Sequence, residues 1–158
     1  MALEIERKFT ICGDFRAQVT ESHHIRQGYI AHENHRTVRV RTIDDRAVLT
    51  IKGPQLQSGI SCRVEWEKEI TMDDALELMG ICRGGFIDKT RHIVPFAGHI
   101  FEVDEFHGDN EGLIFAEVEL KSPDEAFERP QWLGEDVTDD SRYYNSNLLK
   151  YPYKDWTR

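Results

Sequence analysis

Arg63-Val64-Glu65-Trp66-Glu67-Lys68-Glu69-Ile70 alternates almost without a break. Arg63, Glu65, Glu67 and Glu69 fall on one side of an extended chain, and Val64, Trp66 and Ile70 on the other, with Lys68 among them. Side chains two apart on a strand point the same way, so the stretch reads as a strand with one charged and one apolar face. The pattern recurs outward in both directions. Residues 3–9 set Glu4, Glu6 and Lys8 against Leu3, Ile5 and Phe9, with Arg7 as the exception. Residues 37–43 set Arg39 and Arg41 against Val38 and Val40, and residues 48–52 set Thr50 and Lys52 against Leu49 and Ile51. Residues 25–30 form a less polarised strand. Further on, Lys89 and Arg91 share a face in 88–94, Glu102 and Asp104 in 99–106, and Glu117 and Glu119 in 113–120.

Punctuation supports the division into short elements. Asp44-Asp45 and Ala97-Gly98 sit where hairpin turns would fall. Thr71 precedes Asp73 and Asp74 as an N-cap precedes an acidic first turn, and Leu76 and Met79 give that helix an apolar stripe. Gly84-Gly85 is expected to stop it. Thr138 is expected to cap a last helix running to about Leu149. Eight strands and two or three helices imply one α+β domain over residues 1–158. The expected architecture is an eight-stranded antiparallel β-barrel with helices packed outside, since a closed sheet leaves no exposed edge.

The composition narrows the function. With 158 residues, 39% hydrophobic and 31% charged, the chain can bury a core. Its net charge of -9 argues against binding a nucleic-acid backbone. The N-terminus is charged from Glu4 onward, so no signal peptide is expected, and no apolar run reaches membrane-spanning length. Cys12, Cys62 and Cys82 show no CxxC spacing, which suits free thiols and a cytoplasmic location. None of the histidines has zinc-site spacing, and no P-loop occurs. Oligomeric state, monomer or homodimer, stays open.

The charged faces decide the chemistry expected. Glu4/Glu6, Glu65/Glu67, Glu102/Asp104 and Glu117/Glu119 place carboxylates side by side, a repulsion that makes sense if a cation lies between them. The opposite faces need an apolar cover, which puts the charges inside. So many ions cannot be buried dry within a stability of about 5–15 kcal/mol. The lumen is therefore expected to hold water, a metal and a polyanion. Carboxylates suit Mg²⁺ or Mn²⁺, while arginine and lysine suit phosphate. Phosphoryl transfer needs chiefly positioning and charge neutralisation, which such a cavity supplies.

Glu4-Ile-Glu-Arg-Lys8 resembles the ExExK signature of the CYTH superfamily, the triphosphate tunnel metalloenzymes. The similarity continues through Ile25-Arg-Gln-Gly-Tyr29, Val38-Arg-Val-Arg41, Leu49-Thr-Ile-Lys52, Lys89-Thr-Arg91, Phe101-Glu-Val-Asp104, Ala116-Glu-Val-Glu119 and Arg142-Tyr-Tyr-Asn-Ser146. The resemblance implies an eight-stranded tunnel and metal-dependent hydrolysis of a small triphosphate. It places Glu4, Glu6, Asp104, Glu117 and Glu119, with Glu102, on the metal side. It assigns Lys8, Arg39, Arg41, Lys52, Lys89 and Arg91, with Arg63, to the phosphate clamp. Lys8 also joins Glu65 and Glu67 as catalytic candidates, these two serving a second metal or the attacking water. Tyr29 is expected to tune access to Lys8, and Asn145 and Ser146 to belong to a segment closing one end. Inorganic triphosphate is the leading substrate. An adenylyl cyclase, a thiamine triphosphatase and a noncatalytic polyphosphate-binding module are the alternatives.

Overall fold

The computed structural model describes residues 2–156; Met1, Thr157 and Arg158, at the ends of the expected 1–158 domain, lie outside the described residues. The strands are β1 (Leu3–Ile11), β2 (Glu21–Glu33), β3 (Arg36–Ile43), β4 (Arg46–Lys52) and β5 (Ser61–Ile70). After helix α1 (Met72–Met79) come β6 (Arg83–Phe96), β7 (His99–Phe106), β8 (Ile114–Glu119) and the short β9 (Leu133–Asp136). A four-residue helix, α2 (Asn145–Leu148), lies near the C-terminal end.

Every ladder is antiparallel, and the order β5-β4-β3-β2-β6-β7-β8-β1 closes through a β1–β5 pairing. Eight strands thus make a closed barrel, as expected, and β9 adds a short ladder to the far end of β1. Tight turns join neighbours at the expected places: Asp44 takes φ 53°, and Ala97 and Gly98 take 49° and 83°.

The apolar faces point outward, but helices cover only part of them. Helix α1, capped by Thr71 accepting from the Asp74 N–H, lays Ala75 and Met79 over Val40 and Ala47. The largest outer cluster joins Ile5, Phe9, Phe101, Val103, Ala116 and Val118 under Phe15, Trp132 and Leu133. Loops and β9 supply that cover, where the sequence pattern led us to expect helices. On the other side Leu3, Ile51 and Trp66 stay about half exposed, so the apolar face of β5 is not covered at Trp66.

Three further expectations change. The stop after α1 is Gly80; Gly84 and Gly85 begin β6 with φ of 81° and 91°, which glycine adopts without penalty. Thr138 does not cap a long helix: its hydroxyl accepts the Lys8 backbone N–H at 2.9 Å. The tail instead makes 3₁₀ turns around the short α2. Finally, the inward face is not charged throughout. Ile87, Phe106 and Phe115 lie on the inward parity and pack with Leu148 and Trp156 as an apolar plug at one end. No helix among the described residues is long and apolar enough to cross a membrane.

Candidate active site: a tunnel with two opposed walls

The lumen is a cavity of about 340 Å³. Glu4, Glu6, Lys8, Tyr29, Arg39, Arg41, Lys52, Arg63, Glu65, Glu67, Lys89, Arg91, Glu102, Glu117 and Glu119 all line it. The alternation read from the sequence therefore gathers these side chains round one space. Glu69, at the exposed end of β5, does not reach it.

The charges are not mixed evenly. Adjacent strands β8, β1 and β5 form an acidic wall. Lys8 reaches Glu117 at 3.0 Å and Glu6 at 3.5 Å. Lys52 reaches across from β4 to Glu4 at 2.7 Å and Glu65 at 3.5 Å. These two lysines thus neutralise part of the acidic wall; the sequence had grouped them with the arginines. Even so, carboxyls are left facing carboxyls. Glu6 and Glu117 lie close enough to shift one another, as do Glu4 and Glu65.

Burial and the neighbouring charges shift the members of each pair in opposite directions. Burial pushes Glu6 well above the usual range, and the charges of Glu117 and Glu4 add to the rise. Burial would raise Glu117 too, but Lys8 and Arg91 hold it well below. For Glu4 burial is outweighed by Lys52, which brings it to about 2. Glu65 is raised to about 7, first by burial and then by Glu4. Glu119 is raised by burial, Glu4 and Glu102.

The opposite wall, from β3 and β6, is basic. Arg41 donates from Nε to Gln27 Oε1 at 2.8 Å, and Arg39 donates to Thr50 Oγ1 at 3.2 Å. Thr50 in turn donates to Glu67 at 3.1 Å. Neither arginine forms an ion pair within 4.0 Å among the described residues, and the buried Arg39 Nε has no hydrogen-bond acceptor. Burial, then Arg39 and Arg91, lowers Arg41 to about 9. Lys89, fully buried, is lowered to about 7 by burial; Asp104 opposes the shift, and Arg91 and Arg41 add to it.

Asp104 differs from its expected place on the metal side. Its Oδ1 accepts from Arg91 Nε at 2.8 Å, while Oδ2 accepts from Arg91 at 2.8 Å and from Lys89 at 2.7 Å. It is fully buried behind the basic side chains. Glu102 stands nearby, 3.4 Å from Arg91. Arg63 donates to the carbonyls of Gly53 and His35, at 2.7 and 3.2 Å. The Tyr29 hydroxyl accepts from Gln27 at 3.0 Å. Gln27 and Thr50 were not among the expected site residues. Gln27 shares the inward parity with Tyr29 and Ile25, the one signal that could have found it.

The donor set suits a hard divalent ion: oxygen ligands only, anionic, several of them on one wall. Among the described residues no three potential ligands are already drawn together around one point, so an ion would gather carboxylates that now lean on lysines or on each other.

A closed barrel with this split lumen defines the class. A CYTH-domain family model matches residues 2–150, and the chain belongs to the CYTH family. Membership implies a divalent metal. The chain is 44% identical over 157 residues to an inorganic triphosphatase of Acetivibrio thermocellus, covering 99% of both proteins. It is 34% identical to an inorganic triphosphatase of Nitrosomonas europaea, over 92% of this chain and 95% of the relative. The solved structure of the inorganic triphosphatase NE1496 superposes with a TM-score of 0.66 at 32% identity, covering 94% of this chain and 95% of that one.

Proposed function

We propose that this protein hydrolyses inorganic triphosphate to pyrophosphate and orthophosphate, using bound Mg²⁺ or Mn²⁺. The observation that carries the reading is the opposition of the two walls. One crowds carboxyls that share two lysines, Lys8 and Lys52; the other holds Arg39 and Arg41, which have no carboxylate within ion-pair distance among the described residues. A metal–triphosphate complex supplies both missing counter-charges at once.

Glu4, Glu6, Glu117 and Glu119 would hold the ion, with Glu102 near the end of that set and Asp104 acting instead as the anchor of Arg91 and Lys89. When bound, the divalent ion supplies neutralisation of phosphoryl charge and a more acidic water. Arg39 and Arg41 bind the phosphoryl oxygens as planar forks, and Lys89, Arg91 and Arg63 complete the clamp. Lys8 and Lys52 hold the glutamates in place. Water attacks the terminal phosphorus, the bridging P–O bond breaks, and pyrophosphate leaves. Glu65, raised to about 7 by burial and Glu4, would take the water's proton in its ionised form. Glu67, joined to Arg39 through Thr50, orients that arginine.

The two relatives named inorganic triphosphatase support this substrate. The rings lining the cavity among the described residues are Tyr29, already bonded through its hydroxyl, Tyr144, and the imidazoles of His32 and His35, while Trp66 lies outside. That leaves little for an adenine or thiamine ring to stack on, which favours bare triphosphate over a cyclase or thiamine triphosphatase. A noncatalytic binder of polyphosphate would have no use for the acidic wall. The free Cys12, Cys62 and Cys82 suit a cytoplasmic setting. The test is phosphate release from tripolyphosphate, ATP, thiamine triphosphate and long polyphosphate, each with Mg²⁺, with Mn²⁺ and with a chelator. Tripolyphosphate should be the best substrate, and only with metal. Retained binding without release under either metal would favour the noncatalytic module.

A further inference from the structure

Asn145 lies outside every strand of the barrel, at the start of α2, yet its side chain meets both halves of the basic wall. Its Oδ1 accepts from Lys89 Nζ at 2.9 Å and from Gln27 Nε2 at 3.4 Å. Gln27 and Lys89 are themselves fully buried. From Gln27 the chain of contacts runs to Arg41 Nε; from Lys89 it runs to Asp104 and on to Arg91. One amide oxygen therefore ties together two groups of cations that otherwise repel.

We propose that Asn145 is a positioning residue for the triphosphate clamp. The inference rests on the triphosphatase reading above and goes beyond it, because Asn145 belongs to neither wall. An ammonium has three N–H donors. Asp104 and Asn145 accept from Lys89 Nζ at 2.7 and 2.9 Å, which fixes where that nitrogen stands on the cavity lining. The Gln27 amide does the same for Arg41: its oxygen fixes Nε, which turns the outer edge of the guanidinium to the cavity. Gln27 can offer that oxygen only while its NH₂ donates to Tyr29 and Asn145. Without the Asn145 oxygen, Lys89 and the Gln27 amide each lose an acceptor in a buried place, and both can rotate. A displacement of that kind removes stabilisation available only in the transition state, so it lowers kcat more than it raises KM.

The experiment compares wild type, Asn145→Ala, Asn145→Asp and the pair Gln27→Leu and Gln27→Leu/Asn145→Ala. Each is assayed for phosphate release from tripolyphosphate with Mn²⁺ and for melting temperature. Wild-type turnover comes first; its absence would overturn the proposed function itself. Given turnover, Asn145→Ala should lose roughly tenfold or more in kcat, with KM within about threefold and melting within a few degrees. Asn145→Asp keeps an acceptor for both donors, so kcat should recover while KM rises by repulsion of the polyanion. In the Gln27→Leu background the further loss from Asn145→Ala should shrink, since both act through one chain of contacts. Wild-type kcat in Asn145→Ala overturns the inference. So does a tenfold or larger loss of kcat in Asn145→Asp relative to wild type, which would leave the oxygen no role; that measurement decides the matter even where the alanine variant fails to fold.

Discussion

The two walls of the tunnel solve opposite electrostatic problems. On the acidic wall each lysine is already shared, Lys8 between Glu117 and Glu6 and Lys52 between Glu4 and Glu65. What is in excess there is carboxylate, and burial with mutual repulsion raises Glu6, Glu65 and Glu119. On the basic wall the carboxylates in ion pairs among the described residues are Asp104 and Glu102, spent on Arg91 and Lys89. What is in excess there is cation, and Arg39 and Arg41 face the cavity unpaired. The difference teaches that the charge separation itself specifies the ligand. A lone metal would satisfy one wall and a lone anion the other.

Removing a carboxylate should break the comparison most severely. Glu4→Ala, Glu6→Ala and Glu119→Ala are each expected to cost about a hundredfold or more in metal-dependent turnover, about 3 kcal/mol of transition-state stabilisation. Circular dichroism should show the fold intact, because the apolar shell is untouched, while Glu4→Ala also removes the Lys52 ion pair and should melt somewhat lower than the other two. Full activity in all three at ordinary metal concentration would contradict the acidic wall's role. On the basic wall, Arg39→Lys and Arg41→Lys keep the charge and lose the fork. Roughly tenfold slower phosphate release is expected, with smaller changes in affinity for a nonhydrolysable analogue. Unchanged rates would make that wall a source of charge alone.

A gentler probe is pH. Glu65 is raised from the ordinary 4.5 to about 7, so the folded state holds its proton where the unfolded chain has released it. Between those values the folded protein binds more protons, and stability must fall as pH rises. Glu6 is raised by burial, Glu117 and Glu4, and shifts stability in the same direction. The metal-free protein should therefore melt lower at pH 8 than at pH 5, and Glu65→Gln should reduce the slope. A Glu65→Gln profile parallel to wild type would remove Glu65 from the acidic wall's proton balance. The smallest effect sits at the edge of that wall. Thr138→Val strips the acceptor from the Lys8 N–H and should cost about 1–2 kcal/mol of stability by denaturant unfolding; an unchanged midpoint would show that another group takes over.

Much of this was legible in the chain because a strand's period is two. Parity alone put Glu4, Arg39 and Glu65 on one side and Ile5 and Val40 on the other, and closure of the sheet made that side the inside. Parity says nothing about level along the barrel, so Ile87, Phe106 and Phe115 could not be recognised as a plug on the inward face. Nor does it say which cation meets which acid. Lys52 goes to Glu4 because β4 and β1 flank β5, a relation set by closure. β9 escaped notice because four residues including Gly134 show no alternation. Gly84-Gly85 resembles a helix stop in composition, yet its positive φ values serve the start of a strand.

The central claim is that the two walls await one ligand pair. The most direct measurement is the melting temperature with Mn²⁺ alone, with a nonhydrolysable triphosphate analogue alone, and with both together. Each ligand binds the folded tunnel, so each alone should raise the melting point modestly. Together they should raise it by clearly more than the sum, because each neutralises the wall that repels or fails to hold the other, a positive coupling. A combined shift no larger than the sum of the two would contradict it: the walls would then be independent sites.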